Sequence, residues 1–292
     1  MRRRRFLASL TAAGTGLAAG CVEVQLPNEP GDGGVDQTPT PPTDPEFSDD
    51  IREQAREVGE LARESVVLVE ADRPGPAAAT GTGWFVEPSV LATTAHGVAD
   101  TETATAWTLA GDEREATIQA RSNGMGIQSD DVAVLTVDEE GPPLPAGDSD
   151  DLDNGQPLVQ VGHPFAVGNW VVSLGRFVGT HHTGRLLSTV PAMSGNSGSP
   201  VLTLDGEVVA MTTGSVPREQ APRRQGEPPE PAPLHVHETY EDATYAIHHS
   251  VETVEAFVAE TRSKRSSLET AFRPETAQPS RDKLGWPTNT FR

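Results

Sequence analysis

Cysteine and lysine are almost absent from this chain. Its 292 residues include a single cysteine, Cys21, so no disulfide can form within the chain. Lysine occurs only at positions 264 and 283, whereas Asp and Glu total 43 and the formal net charge is −21. Because phosphate binding needs clustered Lys and Arg, this balance argues against a nucleic-acid partner.

The chain also lacks a long apolar run near its N-terminus. Residues 8–20 are apolar, but this stretch is too short and too rich in Gly and Thr for a good membrane-spanning helix. It follows the basic residues Arg2–Arg5 and ends in small residues before Cys21. A basic start, a short apolar core and a small-residue exit predict a signal peptide over residues 1–21.

Two details of this segment predict the route of export. Arg-Arg-x-Phe-Leu over residues 3–7 resembles the twin-arginine export signal, and Ala-Gly-Cys resembles a lipobox, in which the cysteine is lipidated. Ala18 stands where a lipobox more often has Leu. We therefore expect an exported protein that is lipid-anchored through Cys21 on the extracellular face of the membrane. The alternative is a soluble secreted protein with an incidental cysteine.

Composition divides the rest of the chain. Residues 22–47 are mostly Pro, Gly, Asp and Thr, which predicts a disordered tether. Residues 48–262 carry the apolar periodicity of one folded domain, interrupted by a Pro-, Glu- and Arg-rich insert at 216–240 that is predicted to be a surface loop. Residues 263–292 form a polar tail.

Within the folded domain, short apolar stretches alternate with turn residues, and no alternation of strands with helices is present. This pattern predicts an all-β barrel or sandwich. A helix is expected at each end, from Ser48 to about Arg63 and from Ser250 to Glu260, each with a Ser cap. The predicted strands are Ser65–Glu70, Gly81–Val86, Val90–Thr94, Thr105–Leu109, Glu115–Ala120, Val132–Val137, Leu158–Val161, Trp170–Leu174, Thr189–Pro191, Val201–Leu204, Glu207–Thr212 and Thr244–Ile247.

A serine between glycines, Ser197, is the first candidate for catalysis. A serine hydroxyl needs a base to take its proton and N–H donors to hold the oxyanion that its attack on a carbonyl creates. The flanking glycines allow a sharp turn in which the N–H groups of Gly195 and Ser197 point into one concavity. Taken alone, the pattern also fits an ordinary turn between two strands.

His96 and Asp131 are the candidate partners of Ser197. His96 follows a predicted strand and has small neighbours, and an imidazole titrates near neutrality, so it can accept and return the serine proton. Asp131 directly precedes an apolar strand, from which it could fix the imidazole tautomer. Taken singly, His96 also fits a structural histidine and Asp131 a loop cap. The order His96, Asp131, Ser197 on an all-β pattern is that of chymotrypsin.

Six segments in the same order resemble the trypsin-like serine proteases, and within them the HtrA (Deg) proteases. The resemblance spans about Ser65 to Val258, and Asp131-Val-Ala-Val-Leu selects Asp131 rather than Asp130 as the carboxylate. The six segments are Gly81–Val86, Thr94–Val98, Asp131–Leu135, Val161–Phe165, Leu204–Val209 and Tyr245–His248.

The resemblance implies two six-stranded antiparallel β-barrels of the chymotrypsin type, with the triad in the cleft between them. It implies a serine endopeptidase that cleaves unfolded or flexible polypeptides, and trimerisation through the N-terminal segment as one arrangement. No cofactor is expected. Gly195, Asn196 and Ser197 would form the oxyanion loop. The primary specificity pocket would be bordered by Ala192, Met193, Thr212, Thr213 and Gly214.

The chain departs from the HtrA pattern in several ways. Ser199 stands where HtrA proteases have Gly, and Gly-Asn-Ser-Gly-Ser-Pro is the form found in bacterial glutamyl endopeptidases. Those enzymes have a His where this chain has Thr212, so specificity for Glu is not expected. The 34 residues after Val258 are too few for a PDZ domain, so none is expected. No acidic residue borders the predicted pocket, which favours a small or medium aliphatic side chain over Arg or Lys.

Two other interpretations remain open at this stage. One keeps the fold and drops the chemistry, as a surface binding module derived from a protease. The other is a structural surface lipoprotein in which the motifs are coincidental. The paired histidines His181–His182, His235 with His237, and His248–His249 could supply metal ligands, but we interpret them as surface or loop residues and expect no metal.

A diffuse acidic surface with little Lys predicts a halophilic protein, because high salt screens self-repulsion within a few ångström. We expect the protein to lose its fold on dialysis from high salt into low salt, with circular dichroism as the measurement. Unchanged spectra in both buffers would contradict this prediction.

Overall fold

The computed structural model describes residues 47–71, 79–123, 129–165, 167–215, 229–239 and 246–271. The strands of the first barrel are β1 (Val66–Ala71), β2 (Ala79–Glu87), β3 (Val90–Thr93), β4 (Thr103–Trp107), β5 (Glu113–Arg121) and β6 (Ala133–Val137). The remaining strands are β7 (Pro157–Gly162), β8 (Val171–Thr180), β9 (Leu186–Ser188), β10 (Pro200–Leu202), β11 (Val208–Ser215), β12 (Val236–His237) and β13 (Ala246–Ser250). The α-helices are α1 (Asp49–Ala62) and α2 (Val251–Ala271), and short 3₁₀ helices lie at Arg63–Ser65, His96–Val98 and Ser149–Asp151.

Two closed antiparallel barrels form the molecule, which confirms the predicted fold class. In the first, the strand order is β1-β2-β3-β6-β5-β4, and β1 pairs with β4 to close the sheet. In the second, the order is β8-β7-β10-β11-β13-β9, and β8 pairs with β9. Each barrel buries alternating apolar side chains: Val67, Phe85 and Leu135 lie in the first core, and Leu158 and Val209 in the second.

The predicted surface insert also contributes to the sheet. Of residues 216–240, only 229–239 are among the described residues. Here Val236 and His237 pair in parallel with Val172 and Ser173, so that β12 is a seventh strand at the edge of the second barrel. Glu238 forms an ion pair with Arg52 of α1 at 2.5 Å. Within the insert, this part therefore lies at the surface and pairs with the edge of the second barrel.

Both helices are present, with different limits from those predicted. The Ser48 side chain caps α1 by accepting from the Ile51 N–H at 3.3 Å, and Ser250 accepts from the Thr253 N–H at 3.4 Å at the start of α2. Helix α2 continues to Ala271, past the predicted start of the polar tail. No helix within the described residues is long and apolar enough to cross a lipid bilayer.

Two further boundaries differ from the prediction. Phe47, assigned to the tether, is 8% exposed and its ring lies 4.1 Å from the Arg176 guanidinium carbon. The strand predicted at Thr189–Pro191 is wrong, because the residues that pair are Leu186–Ser188. A proline has no N–H for a ladder, which explains why the strand ends before Pro191.

Candidate active site

Strand register places His96 beside Asp131. Strands β3 and β6 pair antiparallel with Thr93 opposite Ala133. His96 follows the end of β3 and opens a 3₁₀ turn, while Asp131 precedes the start of β6, so both leave the first barrel at the same rim. The predicted pair is thus brought together by the ladder itself.

Both oxygens of Asp131 bind His96. Oδ2 lies 2.6 Å from His96 Nδ1, and Oδ1 accepts from the His96 backbone N–H at 2.9 Å. Asp131 is 5% exposed, so these contacts are shielded from water. A carboxylate can only accept, so Nδ1 carries the proton and the lone pair of the neutral ring lies on Nε2.

Ser197 completes the arrangement from the second barrel. Its Oγ lies 3.1 Å from His96 Nε2, within the reach needed for proton transfer. The Ser197 backbone is held from the first barrel, because its carbonyl accepts from the Thr82 N–H of β2 at 2.8 Å. The three residues selected from the sequence therefore converge across the two barrels, with each imidazole nitrogen assigned a partner.

The loop before Ser197 is a tight turn that requires glycine at position 195. The Asn196 N–H donates to the Met193 carbonyl at 3.0 Å, and Gly195 has φ +98°. A Cβ on Gly195 would lie 2.0 Å from the His163 carbonyl oxygen and 2.7 Å from the Phe165 ring. No other residue fits this conformation in this space.

The same turn orients the peptide between Ser194 and Gly195. The Ser194 carbonyl accepts from the Phe165 N–H at 3.1 Å. A trans peptide points its C=O and N–H in opposite directions, so the Gly195 N–H points away from Phe165. Of the residues predicted for the oxyanion loop, Asn196 uses its own N–H within the turn, which leaves Gly195 and Ser197 as the candidate donors.

Thr82 and His163, which sequence reasoning did not select, hold this loop in place. Thr82 Oγ1 donates to the Gly195 carbonyl at 2.8 Å and lies 3.0 Å from His163 Nδ1. Since the single hydroxyl proton goes to Gly195, His163 Nδ1–H is the donor to Thr82. The His163 ring, 1% exposed, contacts Trp170 edge-on with ring centroids 4.7 Å apart. Thr82 lies in the Gly81–Val86 segment and His163 in the Val161–Phe165 segment. Their place in these two family-like segments was the sequence signal that could have identified them.

Asn196 and Ser199 pack behind Ser197. Their side chains are 1% and 0% exposed, and neither Asn196 Oδ1 and Nδ2 nor Ser199 Oγ has a hydrogen-bond partner among the described residues. Both side chains contact Gly162. A Cβ at this position would lie 2.2 Å from Ser199 Oγ and 2.5 Å from Asn196 Oδ1. Glycine at position 162 is therefore what allows the serine that replaces the usual Gly at position 199.

The residues predicted to border the specificity pocket differ in exposure. Met193 and Thr213 are half-buried, Gly214 is buried, and Ala192 and Thr212 are each 1% exposed. The Thr212 side chain faces the interior of the second barrel, where its hydroxyl donates to Gln160 Oε1 at 2.5 Å.

His248 extends this buried network. Its Nδ1 lies 3.1 Å from Thr212 Oγ1, and its Nε2 lies 2.7 Å from Ser188 Oγ. The Thr212 proton is committed to Gln160, so His248 donates through Nδ1–H and accepts from Ser188 at Nε2. Complete burial lowers the pKa of His248 to about 3, so the ring is neutral at pH 7. His249 is also buried, 2% exposed on β13, so the prediction that His248 and His249 are surface or loop histidines is wrong.

The other histidine pairs lie apart from this network. The His181 and His182 rings are 3.9 Å apart, and burial, followed by the charge of His182, lowers the pKa of His181. The His235 and His237 rings meet edge-on at 4.8 Å. Within the described residues, no group of three or more His, Cys, Asp or Glu side chains could hold a metal ion. Cys21 lies outside the described residues.

The neutral state of His248 predicts a pH dependence of folding. The unfolded residue titrates near 6.5 and the folded one near 3, so between these values the unfolded state binds more protons and stability falls as the pH is lowered. We expect the free energy of unfolding in urea to fall less between about pH 6.5 and 4 in His248→Gln than in the wild type. His182→Gln, at an exposed position, should retain the wild-type slope. Equal slopes in wild type and His248→Gln would contradict the burial of a neutral ring.

Comparisons with known proteins match the part of the chain that carries these residues. Residues 81–211 match the family model described as a trypsin-like peptidase domain. The chain is 32% identical over 149 residues to the mitochondrial serine protease HTRA2 of Bos taurus, a match covering 47% of the chain and 31% of the relative. It is 31% identical over 150 residues to a probable periplasmic serine endoprotease DegP-like of Pseudomonas fluorescens, covering 49% of the chain and 30% of the relative.

A DegP-like protein of Halomonas elongata is 38% identical over 90 residues, covering 28% of the chain and 19% of the relative. The matched part is thus less than a third of the length of each of these relatives. The family model spans the segment that carries His96, Asp131 and Ser197 on a double-barrel fold. Residues 81–211 therefore match a trypsin-like peptidase domain, and the chain is similar to serine proteases of the HtrA and DegP-like kind over part of its length.

Proposed function

We propose that the protein is a serine endopeptidase in which Ser197 is the nucleophile, His96 the general base and Asp131 the group that orients it. The observation that carries this proposal is the 3.1 Å distance between Ser197 Oγ and His96 Nε2, with Asp131 on the opposite nitrogen at 2.6 Å. Relatives whose names are serine protease or serine endoprotease support it.

The reaction follows from the assigned proton positions. Ser197 Oγ attacks the scissile carbonyl while its proton moves to His96 Nε2, and Asp131 stabilises the imidazolium. His96 then gives this proton to the leaving amine as the C–N bond breaks, which leaves an acyl group on Ser197. Water repeats the sequence in place of the serine and releases the acid.

The N–H groups of Gly195 and Ser197 are proposed to hold the oxyanion. Removing one such donor typically costs about 3 kcal/mol of transition-state stabilisation. The Ser194 carbonyl is tied to Phe165, so the Gly195 N–H is oriented before substrate binds. An oriented donor needs no reorganisation during the reaction, which is the source of its catalytic effect.

Substrates are proposed to be unfolded or flexible polypeptides with a small or medium aliphatic residue before the cleaved bond. Ala192, Met193, Thr213 and Gly214 bring no charge to the cleft wall, so nothing there would pair with Arg or Lys. Export through residues 1–21, lipidation of Cys21, and a trimer also belong to the proposal. The DegP-like relatives are named as periplasmic, which supports export.

The proposal is tested by cleavage of reduced, unfolded casein in high salt. Wild type should cleave it, whereas Ser197→Ala, His96→Ala and Asp131→Asn should each lose at least about a thousandfold in kcat/KM. Ser194→Ala, in the same loop, is the matched control and should remain active. If all variants and the wild type bind casein without cleaving it, the domain is a protease-derived binding module and the proposal fails.

Thr82 should act on catalysis through the oxyanion loop. Thr82→Val keeps the side-chain volume but leaves the Gly195 carbonyl without its donor, so we expect kcat to fall by about ten- to a hundredfold with a smaller change in KM. Thr80→Val is the control, since Thr80 Oγ1 is buried on the same strand and has no hydrogen-bond partner among the described residues. Equal kcat values in the two variants would contradict a role for Thr82 in holding the loop.

A further inference from the structure

A buried cation lies behind the catalytic carboxylate. Arg185, in the segment between β8 and β9, is 5% exposed. Its guanidinium donates to the Ser129 carbonyl and contacts both nitrogens of the His249 ring. Arginine remains charged at any pH at which the protein is folded, so this is a fixed positive charge inside the molecule.

His249 connects this cation to Asp131. The ring is 2% exposed on β13, and its Nε2 accepts from the Asp131 backbone N–H at 2.8 Å. Since Nε2 accepts, it carries no proton. A chain of contacts therefore leads from Arg185 in the second barrel to His249, then to Asp131 and His96. It reaches His96 at Nδ1, whereas Ser197 lies at Nε2.

The charge of Arg185 acts on Asp131 as well as on its neighbours. Burial lowers the pKa of Arg185, whereas attraction to Asp130 and Asp131 raises it. Interaction between charges is mutual, so the guanidinium offsets part of the negative potential that Asp131 creates at His96. A weaker negative potential favours the neutral imidazole, which is the form that acts as base.

We propose that Arg185 is a positioning residue of the triad: it binds the Ser129 carbonyl two residues before Asp131, it packs against the His249 ring that accepts from the Asp131 N–H, and its charge keeps His96 in the base form at lower pH. The inference rests on the proposed serine endopeptidase function. The mechanism of peptide-bond hydrolysis is unchanged. Arg185 sets the pH range over which the enzyme is active. A protein with a formal net charge of −21 has a negative overall field that favours imidazolium, and a local buried cation counteracts it.

Other groups near the pair must be held constant in any test. The titratable and charged groups on the segments next to His96 and Asp131 come from several parts of the described chain. They are Asp130 beside Asp131, Arg185 and His249 from the second barrel, Asp100 after the His96 turn, and Arg121, which donates to the Val98 and Thr101 carbonyls.

The experiment measures kcat/KM for a peptide substrate against pH in wild type, Arg185→Gln, Arg185→Met and Arg185→Lys. The two neutral variants should move the midpoint of the acid limb to higher pH by about half a unit or more, while Arg185→Lys stays near the wild type. Using both neutral variants matters because Gln keeps a donor for the Ser129 carbonyl, whereas Met keeps the apolar volume. Melting temperatures identify which variants are folded.

The outcomes separate this inference from the proposed function. A wild type with no turnover and no acid limb would overturn the proposed function. An active wild type whose acid limb coincides with that of folded neutral variants would overturn the role of Arg185. A loss of kcat/KM in all three Arg185 variants, with unchanged midpoints, would assign Arg185 a structural role only and would also overturn the inference.

Discussion

The active-site geometry depends on hydrogen bonds between Thr82 of the first barrel and the loop that ends at Ser197 in the second. The Thr82 N–H binds the Ser197 carbonyl, and the Thr82 hydroxyl binds the Gly195 carbonyl. His96 and Asp131 belong to the first barrel, so any shift between the barrels would change the distance from His96 to Ser197. Two hydrogen bonds from one residue therefore hold Ser197 and Gly195 together.

The buried polar region next to the site contains one histidine that is neutral and one arginine that is charged. His248 is neutral because burial lowers its pKa to about 3, and its hydroxyl neighbours Ser188 and Thr212 satisfy both ring nitrogens. Arg185 is the buried charge on the other side of the carboxylate. At His248, where the buried polar groups have complete partners, the hydrogen bonds hold one arrangement of side chains.

Apolar periodicity predicted an all-β barrel or sandwich, and the resemblance to trypsin-like proteases predicted the two barrels and selected the residues that converge. The short apolar stretches report strands, and the three triad residues stand beside strand ends whose register brings them together. Contacts between distant segments left no such signal: His163 with Thr82, Arg185 with His249, and β12 with β8 depend on the closed barrels. The pattern of apolar residues around His248 did not distinguish a buried histidine from a surface one.

Labelling with a fluorophosphonate, followed by peptide mapping in high salt, tests the central claim most directly. The activated nucleophile should react as a single adduct on Ser197, with none on the adjacent serines Ser194 and Ser199, and His96→Ala should remove the adduct. Only a base at Nε2 and donors at the oxyanion position distinguish Ser197 from those neighbours. A folded wild type that gives no adduct, or an adduct on another serine, would contradict the account.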